Sequence, residues 1–278
     1  MDRVIIVGVD RSLRSVAAAE WAAGEALRRG LPLRVLHVTP PPGLDAPEHW
    51  PCRSEDVPGR AVAYLTTRHP GLRVAGFRLA GAAVPALGSQ SGDAEMVVLG
   101  VRGEGGFAGL PVGSTALGVI CSSGHPVVLV PSGLGGAGRG RRPDKVTVGV
   151  DARAPADGAV DFAFDTARRH HVRLHVLHAG APPAGGSEAA GRVASAPQYA
   201  DRAHVELELL TDFLRPWRQK YPGVRVLEDV ALADPAQALI RSSGSAELMV
   251  VGRRHGEGPG PVVRALLRHV RSPVAVVA

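Results

Sequence analysis

The chain has 278 residues, 45% of them hydrophobic and 21% charged, with a formal net charge of +6. These values admit one large or two ordinary globular domains and exclude a disordered chain, and no apolar run is long enough to cross a bilayer as a helix. Thirty of the 32 basic residues are Arg, aromatics are only 4%, and the densest basic patch (Gly138 to Lys145) sits among glycines, so it reads as a solvated linker rather than a nucleic-acid stripe.

In chain order, Arg3 to Asp10 (RVIIVGVD) is an apolar run of the length a buried parallel strand needs. Ser12 to Arg29 has helical spacing, with Val16, Ala19, Ala23, Ala26 and Leu27 as the expected apolar stripe and Gly30 as the stop. Leu33 to Val38 is a second strand, and the strand–helix–strand order implies a right-handed crossover. A proline-rich connection, Thr39 to Pro58, leads to a helix near Arg60 to Arg68, a strand at Leu72 to Leu79 and a short helix at Val84 to Ser91. Then come a buried strand (Met96 to Leu99), a glycine-rich loop, a helix opening at Gly113–Ser114 and a closing strand (Pro126 to Val130).

The pattern then repeats. RVIIVGVD returns as KVTVGVD (Lys145 to Asp151) and LRVLHV as LHVLHA (Leu174 to Ala179), which matches His37 with His178. AEMVVLG (Ala94 to Gly100) returns as AELMVVG (Ala246 to Gly252), and HPVVLVP (His125 to Pro131) as SPVAVVA (Ser272 to Ala278). Four ordered matches predict a tandem duplication: domain 1 over 1–131, a Gly/Arg-rich linker over 132–144 and domain 2 over 145–278. Each copy is expected to be α/β and doubly wound, an open five-stranded parallel sheet flanked by helices. A ligand in such a sheet binds beyond the carboxyl ends of the strands.

Three elements of the first copy reach that edge: the end of strand one (Val9, Asp10), the end of strand two (Val38), and the loop carrying Gly100, Gly103, Gly113 and Ser114 with the spacing G-x2-G-x9-G-S. Glycines allow positive φ and close approach of a ligand to the main chain. The N–H groups of a new helix are a seat for phosphate. The loop is neither a Walker loop, since no Lys precedes Ser114, nor a dinucleotide fingerprint, since it does not follow the first strand.

This loop, its helix, the closing PVVLVP strand and the GVDRS segment (Gly8 to Ser12) resemble the nucleotide-binding motif of the universal stress protein family, in its ATP-binding branch. The resemblance extends over the whole chain as a tandem two-domain form and implies a fold of the HUP, adenine-nucleotide-binding type. It implies that Asp10 meets the adenine–ribose part, the Val38 backbone the adenine edge, and Gly100, Gly103, Gly113, Ser114 and Thr115 the ribose and phosphates. The implied ligand is ATP, with Mg accompanying the phosphates and AMP or cyclic AMP as alternatives. The implied role is regulatory, in stress or dormancy, with domain 2 as structural partner, an unknown protein partner, and homodimerisation through the closing strands.

The second copy departs from the motif. Asp151 matches Asp10, but Gly252-Arg253-Arg254-His255 puts His where the first copy has Gly103. Counting back from the closing-strand prolines aligns Gly113 with Gly260 and Ser114 with Pro261, and Pro has neither an N–H nor a hydroxyl to offer a phosphate. The second site is therefore read as degenerate, or as meeting an anion through Arg253, Arg254 and His255.

The remaining constellations carry less. His175 and His178 lie three apart on one strand and point to opposite faces, which opposes a metal site. Cys52 and Cys121 fit no zinc or redox spacing; Cys121 reads as a small core residue of an apolar helix. No nucleophile elbow surrounds Ser114 and no catalytic base is evident beside the loop, so the chain reads as a binder rather than an enzyme. A slow ATPase and a nucleotide-independent interaction module are the competing readings. MDRVIIVGVD enters a strand pattern directly, without the layout of a signal peptide, which makes a cytoplasmic location the expectation.

Overall fold

The computed structural model describes residues 3–39, 56–103, 112–131, 143–180, 196–253 and 258–278. Its elements fall into two compact units. The first contains β1 (Val4–Gly8), α1 (Leu13–Arg29), β2 (Leu33–Thr39), α2 (Val57–Arg68), β3 (Val74–Ala80), α3 (Ala83–Ser89), β4 (Ala94–Gly100), α4 (Ser114–Ser122) and β5 (Val127–Val130). The second contains β6 (Lys145–Val150), α5 (Asp157–His170), β7 (Arg173–Gly180), α6 (Ala196–Lys220), β8 (Val226–Leu232), α7 (Pro235–Ser243), β9 (Ala246–Gly252), α8 (Pro261–His269) and β10 (Val274–Val277).

All pairings within each unit are parallel, in the order β3-β2-β1-β4-β5 in the first and β8-β7-β6-β9-β10 in the second. The central strands are apolar on both faces because helices cover both: Val4 to Val7 and Met96 to Val98 are almost wholly buried. In each unit the strand order switches at the first strand, β1 or β6, whose two neighbours are reached by crossovers on opposite faces. That switch opens the crevice at the carboxyl edge.

The buried face of α1 is rotated from the expected stripe. Ala18, Ala19, Ala22, Ala23 and Ala26 are buried, whereas Val16 is 41% and Leu27 44% exposed. The small side chains let the helix sit close on β1 and β4, and the larger apolar residues are left on the rim. The helix ends as the sequence requires: Gly30, at φ 66°, closes a left-handed cap in which Leu31 N–H donates to the Ala26 carbonyl. Cys121 is exposed, not core, because α4 buries Ala116, Val119 and Ile120 instead. Cys52 and most of the linker over 132–144 lie outside the described residues. Among the described residues, no helix is long and apolar enough to cross a membrane.

Candidate functional site

The turn after β1 builds the first wall. Asp10 Oδ1 accepts from the Ser12 N–H at 2.9 Å and from the Ser12 hydroxyl at 2.6 Å, a local turn that fixes the carboxylate. Ser12 then caps α1, its hydroxyl accepting from the Ser15 N–H. The Ser15 hydroxyl returns a bond to the Asp10 carbonyl at 2.8 Å. Val9 is held from both sides: its N–H donates to the Leu36 carbonyl at 2.8 Å, and its carbonyl faces His37 Nδ1 at 2.8 Å. A carbonyl only accepts, so Nδ1 carries the proton there.

The glycine loop forms the second wall. A Cβ on Gly103 would lie 2.5 Å from Asp10 Oδ2, so the carboxylate lies against the Gly103 backbone and no side chain fits between them. Gly100, the last residue of β4, has the Arg14 carbonyl of α1 3.3 Å from where its Cβ would be. Gly113 N–H donates to the Val101 carbonyl at 2.8 Å, folding the far end of the loop back onto its start. None of these three glycines has a left-handed backbone: among the described residues positive φ occurs only at Gly30, Gly71, Gly81 and His171. Close approach, not permissive φ, is what favours glycine at Gly100 and Gly103, whereas a Cβ on Gly113 would come no nearer than 3.5 Å to another atom.

The third wall is the start of α4. Gly113 is its N-cap, in extended conformation (φ −70°, ψ 149°), with no side-chain cap bond, so the first-turn N–H groups of Ser114 and Thr115 have no side-chain acceptor supplied by the cap. Ser114 is exposed and Thr115 half-buried. Val38 lies on β2 opposite Leu79 of β3, at the same strand edge as Val9. Asp10, Gly100, Gly103 and Gly113 are thus gathered around one turn, with Ser114 and Thr115 next to it. The loop residues 104–111 lie outside the described residues. The arrangement offers one carboxylate for hydroxyl or amino donors and main-chain N–H groups for an anion. His37 is a residue that sequence reasoning matched to His178 without assigning it a role; its recurrence in both halves was the available signal.

The second unit repeats the scaffold with other chemistry. Asp151 Oδ1 accepts from the Arg153 N–H at 3.0 Å, and His178 Nδ1 lies 3.2 Å from the Val150 carbonyl. Gly260 caps α8 in extended conformation and Pro261 stands at its first turn, so the alignment of Gly113 with Gly260 and Ser114 with Pro261 holds in three dimensions. Gly252 packs tightly on α5, a Cβ there falling 2.3 Å from Ala156 Cβ. Arg253 is buried and its N–H donates to the Val277 carbonyl at 2.7 Å. Arg254 and His255 lie outside the described residues.

The two histidines of β7 do face opposite ways. His175 meets Asp229 at 2.9 Å and Ser242 of α7 at 3.2 Å, whereas His178 meets Glu206 of α6 at 3.1 Å. Burial pushes the His175 pKa down against the pull of Asp229. Among the described residues no group of three His, Cys, Asp or Glu side chains is placed to hold a metal ion.

Comparison with known proteins places the chain. The profile of the universal stress protein family matches residues 1–51 and 143–278, which takes in the Asp10 turn and the whole second repeat but not the glycine loop of the first. Universal stress protein Rv2005c of Mycobacterium tuberculosis is 36% identical over 296 residues, covering 98% of this chain and 96% of the relative. Universal stress protein Rv1996 of the same organism is 32% identical over 305 residues, covering 98% and 94%. The crystal structure of a universal stress protein from Archaeoglobus fulgidus superposes with a TM-score of 0.64 at 19% identity, covering 99% of this chain and 95% of that one, a likeness of fold.

Proposed function

The chain belongs to the universal stress protein family, and from that premise we propose that its first domain binds an adenine nucleotide, ATP, as a regulatory protein of a stress or dormancy response. The observation that carries this is the convergence of Asp10 Oδ2 on the Gly103 backbone beside the α4 N-terminus. Asp10 accepts from the ribose hydroxyls or the adenine amino group. The N–H groups of Gly103, Ser114 and Thr115 donate to the phosphates, Gly113 holds the helix start in place through its own bond to the Val101 carbonyl, and the positive end of α4 favours the phosphate charge. Mg²⁺ would enter as a ligand of the triphosphate rather than of a protein cage. The role is binding without turnover, and the reading includes homodimerisation and a protein partner that responds to the bound nucleotide.

The test transplants one residue from the second repeat. Proline is well tolerated at the first position of a helix, so Ser114→Pro keeps α4 while removing a hydroxyl and an N–H from the phosphate seat. Calorimetric titration of ATP, with and without Mg²⁺, is expected to give one site per chain in the wild type. The variant is expected to bind at least about tenfold more weakly, the loss of one to two hydrogen bonds to a charged group. Unchanged affinity in the variant refutes the phosphate seat, and no binding of ATP, ADP, AMP or cyclic AMP by the wild type refutes the nucleotide reading.

A further inference from the structure

The carboxyl edge of the second sheet holds a buried carboxylate that the nucleotide reading does not use. Glu206, on α6, is fully buried. Its Oε2 receives Arg153 Nη1 at 2.7 Å and faces His178 Nε2 at 3.1 Å; its Oε1 receives Arg202 Nη2 at 2.7 Å and Arg153 Nη2 at 2.8 Å. A carboxylate offers about four lone-pair sites, and these four donors fill them, Arg153 in the bidentate fork that suits an anion. The position is specific. A Cβ on Gly180, the last residue of β7, would lie 3.2 Å from both Cγ and Cδ of Glu206, so the carboxylate rests on the end of that strand. Arg153 is tied by its own N–H to Asp151, at the end of the neighbouring strand β6.

Two exchanges between the repeats make this possible. Arg153 stands where the first repeat has Ser12, and Gly180 where it has Thr39. Ser12 turns its hydroxyl back onto Asp10, and Thr39 donates to the Leu79 carbonyl, so neither reaches over the strand ends. Among the described residues, the hydrogen bond of the His37 ring is to the Val9 carbonyl, whereas its counterpart His178 reaches Glu206.

We propose that the strand-end crevice of the second domain is an anion site whose resident ligand is the protein's own Glu206 carboxylate, seated on Arg153, Arg202 and His178 in the place that the first domain gives to its nucleotide. The comparison with the first domain rests on the reading above; the anion site itself does not. Pro261 takes a hydroxyl and an N–H away from the helix start that matches Ser114, and Glu206 occupies the end of β7 beside Arg153 and His178, so this crevice is filled by the chain itself.

The test is chemical complementation. Glu206→Ala leaves Arg153, Arg202 and His178 around a space of carboxylate size. Its melting temperature is expected to fall by about 5 °C or more, roughly what losing a buried ion pair does in a domain of this size. Acetate, formate or inorganic phosphate is expected to recover much of that fall. The wild type, Glu206→Gln (whose amide still fills the space) and the double variant Glu206→Ala/Arg153→Ala are expected to show no such recovery. If Glu206→Ala does not fold, its refolding yield with and without acetate reads the same property. Indifference of Glu206→Ala to all three anions, or an equal response in the wild type, overturns the proposal. Failure of ATP to bind the first domain leaves this result untouched, so the two readings fail separately.

Discussion

The two turns that follow the first strand of each repeat, Val9 to Ser12 and Val150 to Arg153, share a backbone and differ in what they face. Both use an aspartate whose Oδ1 holds the N–H two residues on, at 2.9 and 3.0 Å. A histidine from the next strand stands beside each turn: His37 Nδ1 lies 2.8 Å from the Val9 carbonyl, while His178 Nδ1 lies 3.2 Å from the Val150 carbonyl and accepts from the Ala152 N–H at 3.4 Å. Both rest on a glycine beneath a leucine, Gly8 under Leu99 and Gly149 under Leu239, where a Cβ would fall 2.5 and 2.8 Å from the leucine side chain. The aspartate turn and its neighbouring histidine are therefore common to both repeats. What separates the copies is the outward chemistry: Gly103 and Ser114 in one, Arg153, Pro261 and Glu206 in the other.

The sharpest way to break the comparison is to give the first repeat the residue that the second carries at Gly103. Gly103→His places a side chain 2.5 Å from Asp10 Oδ2 and must displace the carboxylate. ATP affinity, read by calorimetry, is expected to fall by roughly 100-fold, the equivalent of a modest overpacking penalty. A variant that keeps both its fold and its affinity would separate Asp10 from the ligand.

The second copy offers a pH test with a defined sign. The Arg153 hydrogen bond holds the Glu206 carboxyl down, from an ordinary 4.5 to about 2. A group whose folded pKa is depressed stabilises fully above its unfolded value and loses that contribution as pH falls toward the folded one. Wild-type stability, measured by urea unfolding, is thus expected to decline between pH 4.5 and about 2 more steeply than that of Glu206→Gln. Parallel profiles would show that Glu206 is not ionised in this network.

The smallest expected effect is at the histidine beside the first turn. His37→Phe removes one bond to the Val9 carbonyl while keeping a ring. ATP affinity is expected to weaken by about fivefold, in line with about 1 kcal/mol for a single hydrogen bond. Full retention would mean that the Ser12 and Ser15 bonds position Asp10 unaided.

Much of this could be read from the sequence because its signals are local. Buried parallel strands are short apolar runs, and the recurrence of RVIIVGVD, LRVLHV and AEMVVLG marked the duplication and the succession of strands along the chain before any contact was known. The start of α4 at Gly113–Ser114, and its counterpart at Gly260–Pro261, followed from residue type and spacing alone. Tertiary packing decided the rest. It turned α1 onto its alanines, because closeness to the sheet outweighs side-chain size. It left Cys121 on the surface, and it made Gly103 a contact for Asp10 rather than a left-handed hinge. It also brought Glu206 to His178, Arg153 and Gly180, a meeting across two strands and a helix that no periodicity encodes, because a buried carboxylate is placed by the donors that must satisfy it.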